Sequence, residues 1–441
     1  MSDAERIDFI SRPVTRVSGK ACVPGDKSIS HRALMFGAIA EGGTQIQGFL
    51  DGADTNATLN AFRQMGVEMD HNSAHEVTVH GAGLRGLAAP PASLDLGNSG
   101  TSVRLLAGLL AGQAFDTELV GDPSLMKRPM RRVVEPLRLM GADIECSAAG
   151  TLPLHIHGGR KLKGIEYVMP VASAQLKSAI LLAGLYADGA TSVTEPAVTR
   201  DHTERMLEQF GCPVVRDGAR IRLTSSPLQG CSIRIPGDIS SAAFLMVAAC
   251  VVPGADILLE NIGINPTRDA VIAILRLMGA DIHVTELDDG QSEPSADIRV
   301  RQQPLSGIRI PEELVPVAID EFPALFIAAA CASGETVLSG AEELRVKESD
   351  RIAAMADGLA GLGIDVAAYE DGMRITGGVL RGGEVDSRGD HRIAMAFSVA
   401  GAAAQGRVRV RDCRNVDTSF PGFIECINGI GLQVTAETQR A

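Results

Sequence analysis

The chain has 441 residues, 45% of them hydrophobic and 22% charged, with a formal net charge of −13. That length allows about three domains of ~150 residues with a large buried core, and the composition excludes a disordered or low-complexity protein. The acidic balance argues against nucleic acid and anionic membranes as partners, and no apolar run reaches the ~18 residues of a membrane span.

Residues 1–6 are unlike the basic start of a secretory signal. The eight cysteines (22, 146, 212, 231, 250, 331, 413 and 426) contain no Cys-x-x-Cys pair. Reduced thiols and a cytoplasmic location are therefore expected.

In chain order, the first informative stretch is Pro24-Gly25-Asp26-Lys27-Ser28-Ile29-Ser30-His31-Arg32. A Pro-Gly turn there leads into a helix whose opening carries a lysine, two hydroxyls and an arginine. Backbone N–H groups at a helix start already favour anions, so the segment suits a phosphate or carboxylate. Residues 81–86 match G-x-G-x-x-G, but Pro90 and Pro91 stand where a dinucleotide-binding helix would run.

Next comes Gly97-Asn98-Ser99-Gly100-Thr101-Ser102-Val103-Arg104, read as a strand end passing into a helix, with Thr101 as its expected cap. Gly100 allows a ligand close to the backbone. Further basic segments follow at residues 127–132, 173–177 and 200–203. His155 and His157 alternate as on a strand, and no matching ligand cluster completes a metal site. No metal or cofactor is expected.

At Pro236-Gly237-Asp238-Ile239-Ser240-Ser241 the opening turn recurs, 212 residues after its first copy. In this copy Ile239 replaces Lys27 and Phe244 replaces Arg32. Residues 345–351 and 390–392 then carry the second half's charges. Taken singly, each segment has a plain reading: solvated Lys-Arg pairs, an exposed helix with i,i+4 charges at 347–351, helix caps at Ser28 and Thr101, a structural His391.

An apolar-Gly-apolar step closing a helical pattern and leading into a strand occurs six times, at Gly66, Gly141, Gly211, Gly279, Gly363 and Gly431. The intervals are 75, 70, 68, 84 and 68 residues. The clearest copy places Val271, Ile274, Leu275 and Met278 on one helix face, then Gly279 as a left-handed cap. Six such units, paired by the duplicated turn, predict two similar halves of three αβ repeats each. The chain is expected to cross between them near residues 22–24 and 235–237.

Together and in order, residues 24–32, 97–104, 127–129, 173–175, 319–321, 345–351 and 390–392 resemble the 5-enolpyruvylshikimate-3-phosphate synthase family of enolpyruvyl transferases. The resemblance spans about residues 15–430. It implies two inside-out α/β domains, each of three βαβαββ repeats about a pseudo-threefold, with the active site in the interdomain cleft. The first domain is expected over residues 24–236, and the second over residues 1–23 and 237–441. The implied reaction moves the enolpyruvyl group of phosphoenolpyruvate to the 5-hydroxyl of shikimate 3-phosphate and releases phosphate. These two small molecules are the expected partners of a monomer.

Carried over residue by residue, the resemblance implies Lys27, Gly100, Arg128, Gln175, Arg351 and Arg392 for phosphoenolpyruvate. For shikimate 3-phosphate it implies Lys27, Ser28, Arg32, Ser173, Ala174, Gln175, Arg200, Asp320 and Lys347. Glu348 is the implied group for proton transfer at C3, Asp320 the acceptor of the 5-hydroxyl proton, and Lys27 shares the proton traffic. Flanked by Lys347 and Arg351, Glu348 is expected to stay ionised unless closure desolvates it, which leaves the C3 acid open.

Two departures point to the second bacterial class of the family, some of whose members tolerate the inhibitor glyphosate. Many members have Ser-Ser-Gln where this chain has Ser173-Ala174-Gln175, and many have a lysine where it has Thr418. Gly100 nevertheless leaves the room that glyphosate occupies in sensitive members. The nearest rival is the sister enzyme acting on UDP-N-acetylglucosamine, which normally carries a reactive cysteine or an aspartate in its place. Residues 121–126 hold no cysteine. A non-catalytic clamp or scaffold would not need these cations beside Asp320 and Glu348.

Overall fold

The computed structural model describes residues 6–288 and 290–439. The N-terminal stretch read as non-secretory lies, apart from Arg6, outside the described residues. The chain divides into two compact units, one comprising Gly25–Ile235 with Gly290–Glu293, the other Met1–Pro24, Pro236–Asp289 and Pro294–Ala441.

Among the described residues, twelve α-helices alternate with short sheets. In the Gly25–Ile235 unit they are α1 (Lys27–Ile39), α2 (Ala53–Gln64), α3 (Gly100–Leu110), α4 (Arg131–Leu139), α5 (Ala174–Gly184) and α6 (His202–Gln209). In the other unit they are α7 (Ile239–Val251), α8 (Ala270–Leu277), α9 (Phe322–Cys331), α10 (Arg351–Gly361), α11 (His391–Ala403) and α12 (Phe423–Gly429).

Every repeat follows one plan, shown most plainly by the second. Strand Leu94–Asp95 leads through α3 to the parallel strand Thr117–Val120, then through α4 to Asp143–Cys146 and Leu154–His157, which pair antiparallel. This is β-α-β-α-β-β. The first and last repeats are closed by strands distant in sequence: Ser232–Arg234 joins Glu41–Gln47, and Arg6–Arg12 pairs with Val408–Arg411 and Gln433–Gln439. In the fifth repeat, isolated bridges at Ser306 and Arg309 stand where the other sheets have a first strand.

Odd-numbered helices are buried on all sides, because residues such as Ala242, Ala243, Ala248 and Ala249 of α7 leave no polar face. Helices α7, α9 and α11 pack on one another inside one unit, and α3 packs on both α1 and α5 inside the other. The sheets cover them, which is the inside-out layering.

All six step glycines take positive φ, from +86° at Gly66 to +108° at Gly431. Each turns the chain from an even-numbered helix into a strand. Val271, Ile274, Leu275 and Met278 are buried as the face reading expects.

Candidate functional site

In five of the six repeats the inner helix begins with a capped turn. Asp26, Ser99, Ser173, Asp238 and Asp390 are N-caps whose side chains accept from backbone N–H groups at 2.9–3.3 Å. Thr101 is therefore not the cap of α3; Ser99 is. Thr101 lies one residue inside the helix, and its hydroxyl accepts from Gln175 Nε2 at 3.1 Å.

Part of the sequence-predicted set falls at these first turns, the positive ends of the helix dipoles. Lys27 and Ser28 open α1, Gly100 opens α3, Ala174 and Gln175 open α5, and His391 and Arg392 open α11. At the duplicated turn, Asp26 and Asp238 are both caps, so Ile239 and Ser240 stand at the places of Lys27 and Ser28.

Within the Gly25–Ile235 unit, side-chain hydrogen bonds join the first turns of α3 and α5. Arg104 Nη1 donates to Gln175 Oε1 (2.7 Å), and Arg128 Nη2 donates to Asn98 Oδ1 (2.6 Å). A Cβ at Gly100 would fall 2.9 Å from Arg128 Nη1 and 3.0 Å from Arg104 Nη1. Lys27 Nζ sits 3.1 Å from Asp54 Oδ2.

Buried Arg32 donates through Nε to Thr203 Oγ1 (2.7 Å) and through Nη2 to Ser178 Oγ (2.9 Å). Burial lowers the Arg32 guanidinium to about 10, still charged at neutral pH. Burial also pushes His31 down to about 3. That ring is a neutral partner of Thr58 at 2.8 Å, although it lies between Lys27 and Arg32 in the sequence.

In the other unit, Arg351 is the hub. Its side chain is 1% exposed, yet it opens α10 rather than lying on a solvated helix face. Its Nε lies 2.9 Å from Asp390 Oδ2, its Nη2 2.6 Å from Glu348 Oε2, and its Nη1 3.5 Å from Asp320 Oδ1. Lys347 Nζ is also 3.5 Å from Asp320 Oδ1, and Arg392 Nη1 donates to the Asp320 carbonyl at 2.8 Å. Burial by itself would raise the Asp390 carboxyl; the Arg351 guanidinium overrides it and holds the group below its ordinary value.

Several supporting residues were beyond the sequence reading. Arg268 donates to Ser240 Oγ at 2.6 Å and lies 3.2 Å from Asp238, and Ser240 donates to buried Glu321. Asp54 was missed as well, since nothing local marks a carboxylate as the partner of a lysine one helix away. Thr418 spends its hydroxyl on the Asn415 carbonyl at 2.6 Å. Among the described residues, no group of three or more His, Cys, Asp or Glu side chains is placed to hold a metal ion, and no helix is long and apolar enough to cross a membrane.

Residues 11–427 match the family described as EPSP synthase (3-phosphoshikimate 1-carboxyvinyltransferase). A 3-phosphoshikimate 1-carboxyvinyltransferase of Methylococcus capsulatus is 61% identical, over 97% of this chain and 98% of that protein. A solved EPSP synthase from Acinetobacter baumannii superposes with a TM-score of 0.89 at 55% identity, covering 98% of this chain and 100% of its own. The enolpyruvyl transferase NikO from Streptomyces tendae, at 16% identity and a TM-score of 0.80 over 99% of this chain and 100% of its own, shares the fold alone. A match this long, at this identity, with the inner-helix turns in place, means that the chain belongs to the EPSP synthase family.

Proposed function

We propose that the chain transfers the enolpyruvyl group of phosphoenolpyruvate to the 5-hydroxyl of shikimate 3-phosphate, releasing phosphate, in the shikimate route to aromatic amino acids. The observation that carries this reading is the gathering of Lys27, Ser28, Gly100, Ser173 and Gln175 at the starts of three inner helices of one unit, in a chain of this family.

Both substrates are anions. Charge-assisted hydrogen bonds are worth ~1.5–3 kcal/mol each, so several of them offset the repulsion between two phosphates and a carboxylate. Ser28, Arg32, Ser173 and Arg200 serve the shikimate phosphate. Ser173 Oγ uses a lone pair to cap α5, which leaves its O–H to donate to an anion. Lys27, Arg128, Gln175, Arg351 and Arg392 serve phosphoenolpyruvate. Lys347 serves shikimate 3-phosphate, and Ala174 contributes backbone at the start of α5.

The 5-hydroxyl oxygen attacks C2 as C3 gains a proton, giving a tetrahedral intermediate. Loss of phosphate and of a C3 proton then gives the enol ether. Asp320 accepts the hydroxyl proton, Glu348 exchanges the C3 proton, and Lys27 shares the traffic. Departing phosphate takes the charge that these cations stabilise.

Phosphate release from phosphoenolpyruvate tests the reading directly. Turnover is expected with shikimate 3-phosphate and none with UDP-N-acetylglucosamine; the reverse would overturn it. Gly100→Ala pushes a methyl group against the guanidinium ends of Arg128 and Arg104. It is expected to raise the KM for phosphoenolpyruvate several-fold and to weaken glyphosate inhibition, with the KM for shikimate 3-phosphate little changed. An unchanged inhibition constant would remove Gly100 from that pocket. A monomeric enzyme of the cytoplasm completes the reading, supported by eight cysteines that are all free thiols.

A further inference from the structure

Lys177 has no part in the function just described, yet it is among the most deeply buried charges of the chain, with its side chain 1% exposed. A buried ammonium is retained only where partners repay its lost hydration. On α5, two residues beyond Gln175, its Nζ lies 2.7 Å from Glu204 Oε1 of α6 and 3.0 Å from Glu195 Oε2. It also donates to the Thr199 carbonyl at 3.4 Å. Glu195 in turn accepts a hydrogen bond from Thr199 Oγ1. The residue before Arg200 is thus gripped twice, by its carbonyl and by its hydroxyl.

That grip has a physical purpose. Residues 195–201 form no helix or strand; backbone hydrogen bonds anchor the segment at its ends, from Glu195 N–H to the Ala219 carbonyl and from Arg205 N–H to the Asp201 carbonyl, and Lys177 grips the Thr199 carbonyl between them. Arg200 also acts electrostatically on Arg32, helping burial to lower that guanidinium. Two like charges held near each other before an anion arrives repel, and an untethered loop would relieve this by moving Arg200 away. Holding the peptide beforehand removes an ordering cost from binding.

We infer that Lys177, with Glu195 and Glu204, is a positioning residue that holds the Thr199–Arg200 peptide so that Arg200 is set for the phosphate of shikimate 3-phosphate. The inference rests on the proposed role of Arg200. Lys177 touches no substrate; it acts through the loop.

The test is a double-mutant cycle on KM values in the full-length enzyme. Lys177→Met is expected to raise the KM for shikimate 3-phosphate about tenfold, with the KM for phosphoenolpyruvate within about twofold. Thr199→Val, which removes only the hydroxyl grip, is expected to raise it about threefold; it stands in if Lys177→Met fails to fold. In an Arg200→Ala background, where the KM is already raised, neither change should add anything. A general loosening of the fold would instead add in both backgrounds, and that additivity would overturn the inference. So would an unchanged KM in both variants while Arg200→Ala raises it. An unchanged KM in Arg200→Ala itself would overturn the proposed role of Arg200.

Discussion

Glu348→Gln is expected to lower kcat by about a thousandfold, equivalent to ~4 kcal/mol of barrier, with both KM values within about threefold of wild type. The contrast follows from the geometry around Arg351. Glutamine keeps the size of Glu348 but cannot carry a proton to and from C3, and positioned acid-base groups are worth about 10²–10⁴ in rate. Substrate binding is spared because Arg351 loses only one of its carboxylate partners. Asp390 at 2.9 Å and Asp320 at 3.5 Å still hold the guanidinium in place. Steady-state kinetics, with deuterium uptake at C3 in D2O as a second readout, checks both halves. A wild-type rate would take Glu348 out of the chemistry, and a large rise in the KM for phosphoenolpyruvate would make it a binding residue instead.

The other large effect concerns stability. Arg351→Met strands Asp390, whose side chain is fully buried, and breaking one side of a buried ion pair costs about 3–5 kcal/mol. The loss depends on pH with a definite sign. In the wild type the Asp390 carboxyl is depressed, so its contribution is present above the ordinary aspartate range and fades only as pH falls through the depressed folded value. In the variant, burial and the neighbouring Glu348 charge are opposed only by His391 and by hydrogen bonds from Ser349 and the Arg392 N–H, and the folded value is expected to rise. The penalty is then absent below the unfolded value and grows as pH rises towards the raised one. The gap between wild type and variant should therefore be widest at pH 7–8 and narrow towards about pH 4, read as denaturation midpoints across that range. Equal midpoints at pH 7.5 would refute the hub role of Arg351. Adding Asp390→Asn should recover part of the loss, because an uncharged amide is less costly to bury unpaired.

The two carboxylates proposed to carry protons have different cations beside them. Glu348 pairs with Arg351 at 2.6 Å, whereas Asp320 lies 3.5 Å from both Lys347 and Arg351, and its backbone carbonyl accepts from Arg392.

Local chemistry was enough for much of this protein. A glycine after an apolar helix end reads as a left-handed turn because other residues are strained there, and all six take positive φ. A Pro-Gly-Asp turn reads as a helix start, and Asp26 and Asp238 cap α1 and α7. The spacing of these marks carries the repeat, and the charges beside them carry the family. Where two hydroxyls compete for one cap, local rules fail: Thr101 and Ser99 are both suitable, and the register of the helix favours Ser99.

Which charges meet was left to the tertiary structure. Arg32 and Thr203 are 171 residues apart, and Arg351 and Asp390 are 39 apart. Lys177 in an amphipathic pattern looks like any solvated lysine, but an inner helix has no solvated face, so the fold buries it and must supply Glu195 and Glu204. The sequence by itself determined the repeats, the turns and the residue types of the site, because backbone strain and helix capping act within a few residues. Only the packing decided which of those residues are held, by what, and how firmly, because desolvation and ion pairing depend on neighbours that the chain brings together from far away.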